Sequence, residues 1–339
     1  MKVLIVGEWH SLVHEEQLFQ AFKTKGIDVY QFKTYKYFHS DNKFLKKILK
    51  GFDKYSLRLA INNINKDLIA YAKKIKPDVF FLYRPRHILE STIIELKQLN
   101  RIKILIYNND SPFGKKYPNY FWRRYFKIID YADKIFSYRP SDQLKYKNLL
   151  IESELLMPWY DPIALKAIVR KNFSERQDKL LFIGHAEDDL RVPILNSISD
   201  ELKLFGPLKD WSQRYVTHEL KSLVKTTIWG VDYFQTLSDH KIALCFLSKL
   251  NNDVYTRRCF EIPASGTMLF SEYSKELDDL FGDMKGAVFF KNLEDFHMKL
   301  KYLRANPEII ENIAKVGEQI VLDNKFDVFS RVENIIRNS

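Results

Sequence analysis

The residues best suited to chemistry stand in one stretch, DVYTRRCFEIPASGTMLFSE, from Asp253 to Glu272. Its spacing predicts a helix from about Val254, ended near Ser265 and Gly266, then a strand. Asp253 stands where its carboxylate would cap that helix. Arg257 lies four residues after Asp253 and four before Glu261, so it can pair with either. Arg258 precedes Glu261 by three. One reading is a solvated salt-bridge ladder. In the other, Glu261 is a bidentate acceptor suited to vicinal ribose hydroxyls, and Arg258 is a planar donor matched to phosphate. Phe260, Ile262, Pro263 and Ala264 favour the second reading, because they bury the helix and buried charges need partners.

Several other chemistries lack their motifs. VGEWHS has a single glycine, so there is no GxGxxG after the first strand. No Walker loop, HExxH or paired-cysteine zinc spacing occurs. His10, His14, His185, His218 and His240 show no metal-ligand spacing. Cys245 and Cys259 sit in apolar runs and read as buried free thiols.

The elements that must hold these residues alternate. KVLIVG, DVYQF, PDVFFLY, IKILIYNND and KIFSY read as strands. Between them fall helical patterns: HEEQLFQAFKTKG, YSLRLAINNINKDLIAYAKKI, ILESTIIELKQL and the aromatic NYFWRRYFKIIDYA. After an irregular stretch around Pro158 and Pro162, the alternation resumes with KLLFIG, LKLFGPL, KIALCFL, GTMLFSE and GAVFF. Strand–helix alternation implies parallel sheets with right-handed crossovers, hence an α/β chain with two Rossmann-like, doubly wound domains facing across a cleft. We expect a first domain over 1–160, a linker over 161–178, a second domain over 179–322 and a helical tail over 323–339 that packs back on the first domain. Ligands of such sheets bind at the carboxyl ends of the strands.

The chain has 339 residues and a net charge of +11. Residues 1–178 carry +14 and the remainder −3. The excess gathers in KYFHSDNKFLKKILKGFDKYSLR and KKYPNYFWRRYFK, where aromatics interleave the basic residues. Such segments suit an anionic membrane surface, an acidic glycan or nucleic acid. The amino terminus reads as a strand rather than a signal peptide, and no run is long enough to span a bilayer. A cytoplasmic protein, peripheral at the inner face of the cell membrane, is the expectation.

RRCFEIPASGTMLFSE resembles the donor-site signature of GT-B glycosyltransferases. It is closest to the spore-maturation CgeB-like group and relatives with a glycosyl transferases group 1 domain. The resemblance spans most of residues 180–325. It implies a nucleotide-sugar donor, a glycan, lipid-linked or protein acceptor, and no required metal or cofactor. It implies that Glu261 binds ribose, that Arg258 and Lys241 face the diphosphate, and that Ser265, Gly266 and Thr267 form a turn approaching phosphate or sugar. Gly184 and His185 would end the first strand of the second domain beside the donor. Arg191 could reach the same phosphates, and Tyr233 could stack near the base. Asp253 takes the first position of the family's Glu-x7-Glu pattern, and Arg257 stands between ligand and salt-bridge roles. If the enzyme inverts, Asp110 is the first candidate base, with Glu8 and His10 behind it. If it retains, as the Glu-x7-Glu pattern implies, no dedicated base is needed. The rivals are a basic nucleic-acid-binding module, a sugar-nucleotide epimerase and a phosphorylase. The first leaves Glu261 and its arginines without a role, so no nucleic acid is expected.

Overall fold

The structure, a computed structural model, describes residues 1–9, 11, 13–54, 58–99 and 102–338. It divides into two units. The first comprises Met1–Met157, Leu250–Asn252 and Val328–Ser339; the second comprises Pro158–Lys249 and Asp253–Asp327.

The first unit holds six strands: β1 Lys2–Gly7, β2 Asp28–Lys33, β3 Val79–Tyr83, β4 Lys103–Asn108, β5 Lys134–Ser137 and β6 Ser153–Leu155. They are all parallel, in the order β2-β1-β3-β4-β5-β6. All five residues of β3 are buried, as are five of six in β1 and β4. Helices on both sheet faces demand such near-continuous apolar runs. The second unit holds β7 Leu180–Ile183, β8 Leu202–Phe205, β9 Ile242–Cys245, β10 Met268–Glu272 and β11 Val288–Phe290, in the order β11-β10-β9-β7-β8. Both sheets therefore reverse direction beside their first strand. Crevices at such switch points are where open α/β sheets take ligands.

Two expectations change, and one strand is unforeseen. The aromatic segment 119–132 is not one helix but short turns over Asn119–Trp122, Tyr125–Ile128 and Ile129–Tyr131. Phe121, Trp122, Tyr125, Ile128 and Ile129 are all buried; their spacing would suit one face of a helix, which is why the sequence suggested one. Residues 161–178 are not a free linker. They fold into the second unit, where Asp161 caps the helix Pro162–Lys166 and Arg170 donates to the Ala264 carbonyl. The strand β6 carries no apolar signal, being three half-buried residues at a sheet edge. The tail helix Val328–Arg337 lies in the first unit, packed on the helix Glu15–Thr24.

Candidate functional site

In the second unit, Gly184 directly follows β7. Its N–H donates to the Phe205 carbonyl at 2.9 Å, and its carbonyl accepts from Trp211 Nε1 at 3.0 Å. A Cβ on neighbouring Gly206 would stand 2.2 Å from that carbonyl, so the two strand ends meet only through glycine. The loop that follows is stiffened by Arg191. This buried side chain forks onto both oxygens of Asp189 at 2.9 Å and donates to the His185 carbonyl at 2.8 Å. Ser248, after β9, donates to Glu187 at 2.8 Å, and the Leu247 N–H donates to Glu272 at the end of β10. Burial raises the Glu272 pKa.

Beside this edge runs the helix Arg258–Ala264. Its Glu261 is buried and accepts from Tyr233 OH on Oε2 and from Arg257 Nε on Oε1, each at 2.8 Å. Burial raises its pKa, against the pull of Arg257, Tyr233 and Arg258. Two donors leave about half of a carboxylate's four lone-pair sites open. Arg258 lies close to Cys245, Tyr233 and Glu261, and its buried Nε has no hydrogen-bond partner. Cys245 and Cys259 stand 3.6 Å apart, Sγ to Sγ. The bond from Cys259, with the Arg258 charge, draws the Cys245 thiol down to about 6, while burial pushes Cys259 up. The group therefore offers a hydroxyl acceptor and anion donors within a few ångströms.

The structure brings Tyr233, Arg257, Arg258 and Glu261 together, and puts Gly184 and His185 at the carboxyl edge. His185 is mostly exposed and paired with Asp210 through Nδ1. Other expectations are corrected. The helix starts at Arg258, not Val254, and its N-cap position is Arg257 rather than Asp253, which sits in the preceding loop with its N–H on the Ser248 carbonyl. Lys241 precedes β9, at the amino edge opposite the site, and pairs with Asp178 at 2.7 Å. Ser265, Gly266 and Thr267 precede β10 at that same edge. They are a buried turn: Ser265 Oγ donates to the Glu261 carbonyl, Thr267 Oγ1 to Leu237, and the Gly266 carbonyl accepts from Arg176. Gly266 takes a left-handed φ of 69°. Arg191 is spent on its own loop. Tyr233 meets the Glu261 carboxylate through its hydroxyl rather than serving as an open stacking face.

A second constellation, which sequence reading missed apart from Asp110 and Glu8, stands at the carboxyl edge of the first sheet. Arg84, after β3, lies 3.0 Å from Asp110 and 3.7 Å from Glu8. Arg86 binds Glu8 and Asp53, His87 meets Asp53 at 3.0 Å, and Lys116 holds Asp110 at 2.8 Å. Three carboxylates thus face three cations. Burial would raise Glu8 and Asp110, yet Arg84 and its neighbours hold both far below the usual carboxylate range. Asp110 is therefore not the free carboxylate that a base requires. His10 lies outside the described residues. Arg84 adopts a φ of 49°, the kind of backbone strain that gathers at functional sites. A cavity of about 120 Å³ opens here, between Glu8, Tyr35, Phe38, His39, Asp53, Arg86 and His87. The signal in the sequence was YRPRH, basic residues placed directly after a buried strand.

Residues 185–337 match the family model described as glycosyl transferase-like. Among curated proteins none matches. Similar solved structures include sucrose-phosphate synthase from Thermosynechococcus elongatus, at 11% identity and a TM-score of 0.69, covering 99% of this chain and 98% of that one. Anabaena HepE in complex with UDP and glucose aligns at 10% identity and 0.69 over the same shares. A putative UDP-N-acetylglucosamine 2-epimerase from Listeria monocytogenes aligns at 12% and 0.58, over 99% and 94%. The fold is GT-B, and residues 185–337 match a glycosyl transferase-like domain within it.

Proposed function

We propose that the protein transfers a sugar from a nucleoside-diphosphate sugar to a surface glycan, lipid-linked or protein acceptor, as the CgeB-like motif implies. The observation that carries this reading is Glu261, a buried carboxylate with a raised pKa and two occupied lone-pair sites. Vicinal ribose hydroxyls would fill the others and offset the cost of keeping it ionised. Arg257 and Arg258, beside it, would meet the diphosphate and stabilise the charge that develops as the glycosyl–phosphate bond breaks. On this reading no metal or cofactor is required. Retention is favoured, since Asp110 is locked in ion pairs and a retaining route needs no dedicated base. The basic first unit suits an anionic or membrane-held acceptor at the inner face of the cell membrane.

The test is thermal stabilisation by UDP, GDP, CMP and dTDP, repeated in Glu261→Ala. At about a hundredfold excess over Kd, a ligand adds about 2.7 kcal/mol, a shift of several degrees. One of the four should give that shift, and the variant should lose it. A flat response to all four, or an equal shift in the variant, would sink the donor site. Incubation with the matching sugar nucleotide and no acceptor separates the epimerase rival, which alone would return an epimerised donor.

A further inference from the structure

The helix Lys43–Lys54 reads KFLKKILKGFDK. At 100° per residue, Phe44, Leu45, Ile48, Leu49 and Phe52 fall on one arc of it, and its five lysines fall on the other. An apolar arc so cleanly divided ordinarily faces a core. Here the amino-terminal half faces outward: Phe44 is 75% exposed, Leu45 45% and Ile48 38%. The carboxyl end is fastened to the unit, because Asp53, the helix's only acid, accepts from Arg86. The helix also packs on the turn Tyr35–Phe38. That turn carries Lys36, which with Lys33 and Lys74 lines a cleft of about 620 Å³. The acid in that cleft, Asp67, accepts from Tyr37 OH at 2.6 Å.

The geometry points to this helix as an interfacial anchor lying on an anionic bilayer. Phe44, Leu45 and Ile48 enter the acyl boundary, and lysines meet the headgroup phosphates. The charge selects this occupant. An apolar groove on a protein partner gives no use for five lysines, and a nucleic-acid backbone gives none for three exposed apolar side chains. No described helix is long and apolar enough to cross a membrane, so the contact is peripheral. The inference deepens the membrane-held acceptor of the reading above and rests on that part of it, not on the donor site.

The test is co-sedimentation of the whole protein with vesicles of phosphatidylcholine plus phosphatidylglycerol, and with phosphatidylcholine alone. The wild type should bind the anionic vesicles, less so as salt rises, and bind the neutral ones weakly. Phe44→Asp/Ile48→Asp changes exposed positions only, and should lower the partition coefficient at least about tenfold. Circular dichroism and the nucleotide thermal shift, unchanged from wild type, would show the variant folded. If anionic vesicles do not retain the wild type, or retain the variant equally, the inference falls. It falls too if the wild type is a dimer that the substitutions dissociate, since a second copy then covers the strip. Absence of the nucleotide shift from both proteins would count against the donor site alone, leaving the vesicle result to decide this inference.

Discussion

The two sheets share one strand order, and each gathers buried charge at its carboxyl edge, yet the two edges resolve that charge oppositely. In the first unit, Glu8, Asp53 and Asp110 face Arg84, Arg86 and Lys116; Glu8 and Asp110 are held well below the usual carboxylate range, and Asp53 is lowered. In the second, Glu261 has Arg257 and Arg258 close by, yet burial wins and its pKa rises. The first network is closed and balanced. The second keeps open acceptor sites on Glu261; a buried arginine Nε without a partner occurs in both, at Arg84 and at Arg258, and does not separate them. A closed network specifies local structure; an open one holds free energy that a ligand of matching chemistry can release.

The largest effect should come from breaking the closed network. Arg84→Met removes the cation that Glu8 and Asp110 share, leaving Arg86 and Lys116 against three buried carboxylates, and should cost about 3 kcal/mol in chemical denaturation of the first unit. A cost below 1 kcal/mol would mean that the network is not the closed one described.

Glu15 sharpens the contrast from within the first unit. It is buried, receives only backbone donors, and its Oε2 has no partner. Burial lifts it to about 7. A raised carboxyl stabilises the fold below its unfolded value and loses that stability as pH rises, here from about 4.5 through about 7. Between pH 4 and pH 9 the wild type should therefore lose up to roughly 3 kcal/mol through this group. Glu15→Gln should flatten that slope in a pH series of denaturation midpoints.

Tyr233→Phe tests the open site more gently. It removes one donor from Glu261, and nucleotide affinity by calorimetry should fall about fivefold to tenfold, with stability changing by about 1 kcal/mol. Unchanged affinity would detach Tyr233 from the site. The smallest effect belongs to Lys241→Ala. Its side chain lies at the amino edge, and nucleotide affinity should stay within about twofold. A large loss would restore the diphosphate role that its position denies.

Much of the fold was legible because both sheets are parallel and buried on both faces. KVLIVG, VFFLY and KLLFIG announce themselves without any partner in view. Glu261 was legible for a related reason: a glutamate flanked by Phe260 and Ile262 must answer for its burial. The residues that misled are those whose edge was ignored. Lys241 and Ser265–Thr267 come before strands, which puts them opposite the ligand edge by chain direction alone. Asp253 looked like a cap, but the chain bends at Val254 and runs irregularly to Arg257 before the helix begins at Arg258. The closed network was beyond reach because its members come from residues 8, 53, 84–87 and 110–116. Only the sheet's crossovers bring those segments together.

The most direct test of the central claim compares a ribonucleoside diphosphate of the favoured base with its 2′-deoxy counterpart. If Glu261 reads vicinal hydroxyls, the ribo form should bind at least about tenfold tighter to the wild type, and the ratio should collapse to about one in Glu261→Ala. Equal affinities in the wild type, or a preference that survives in the variant, would contradict the account.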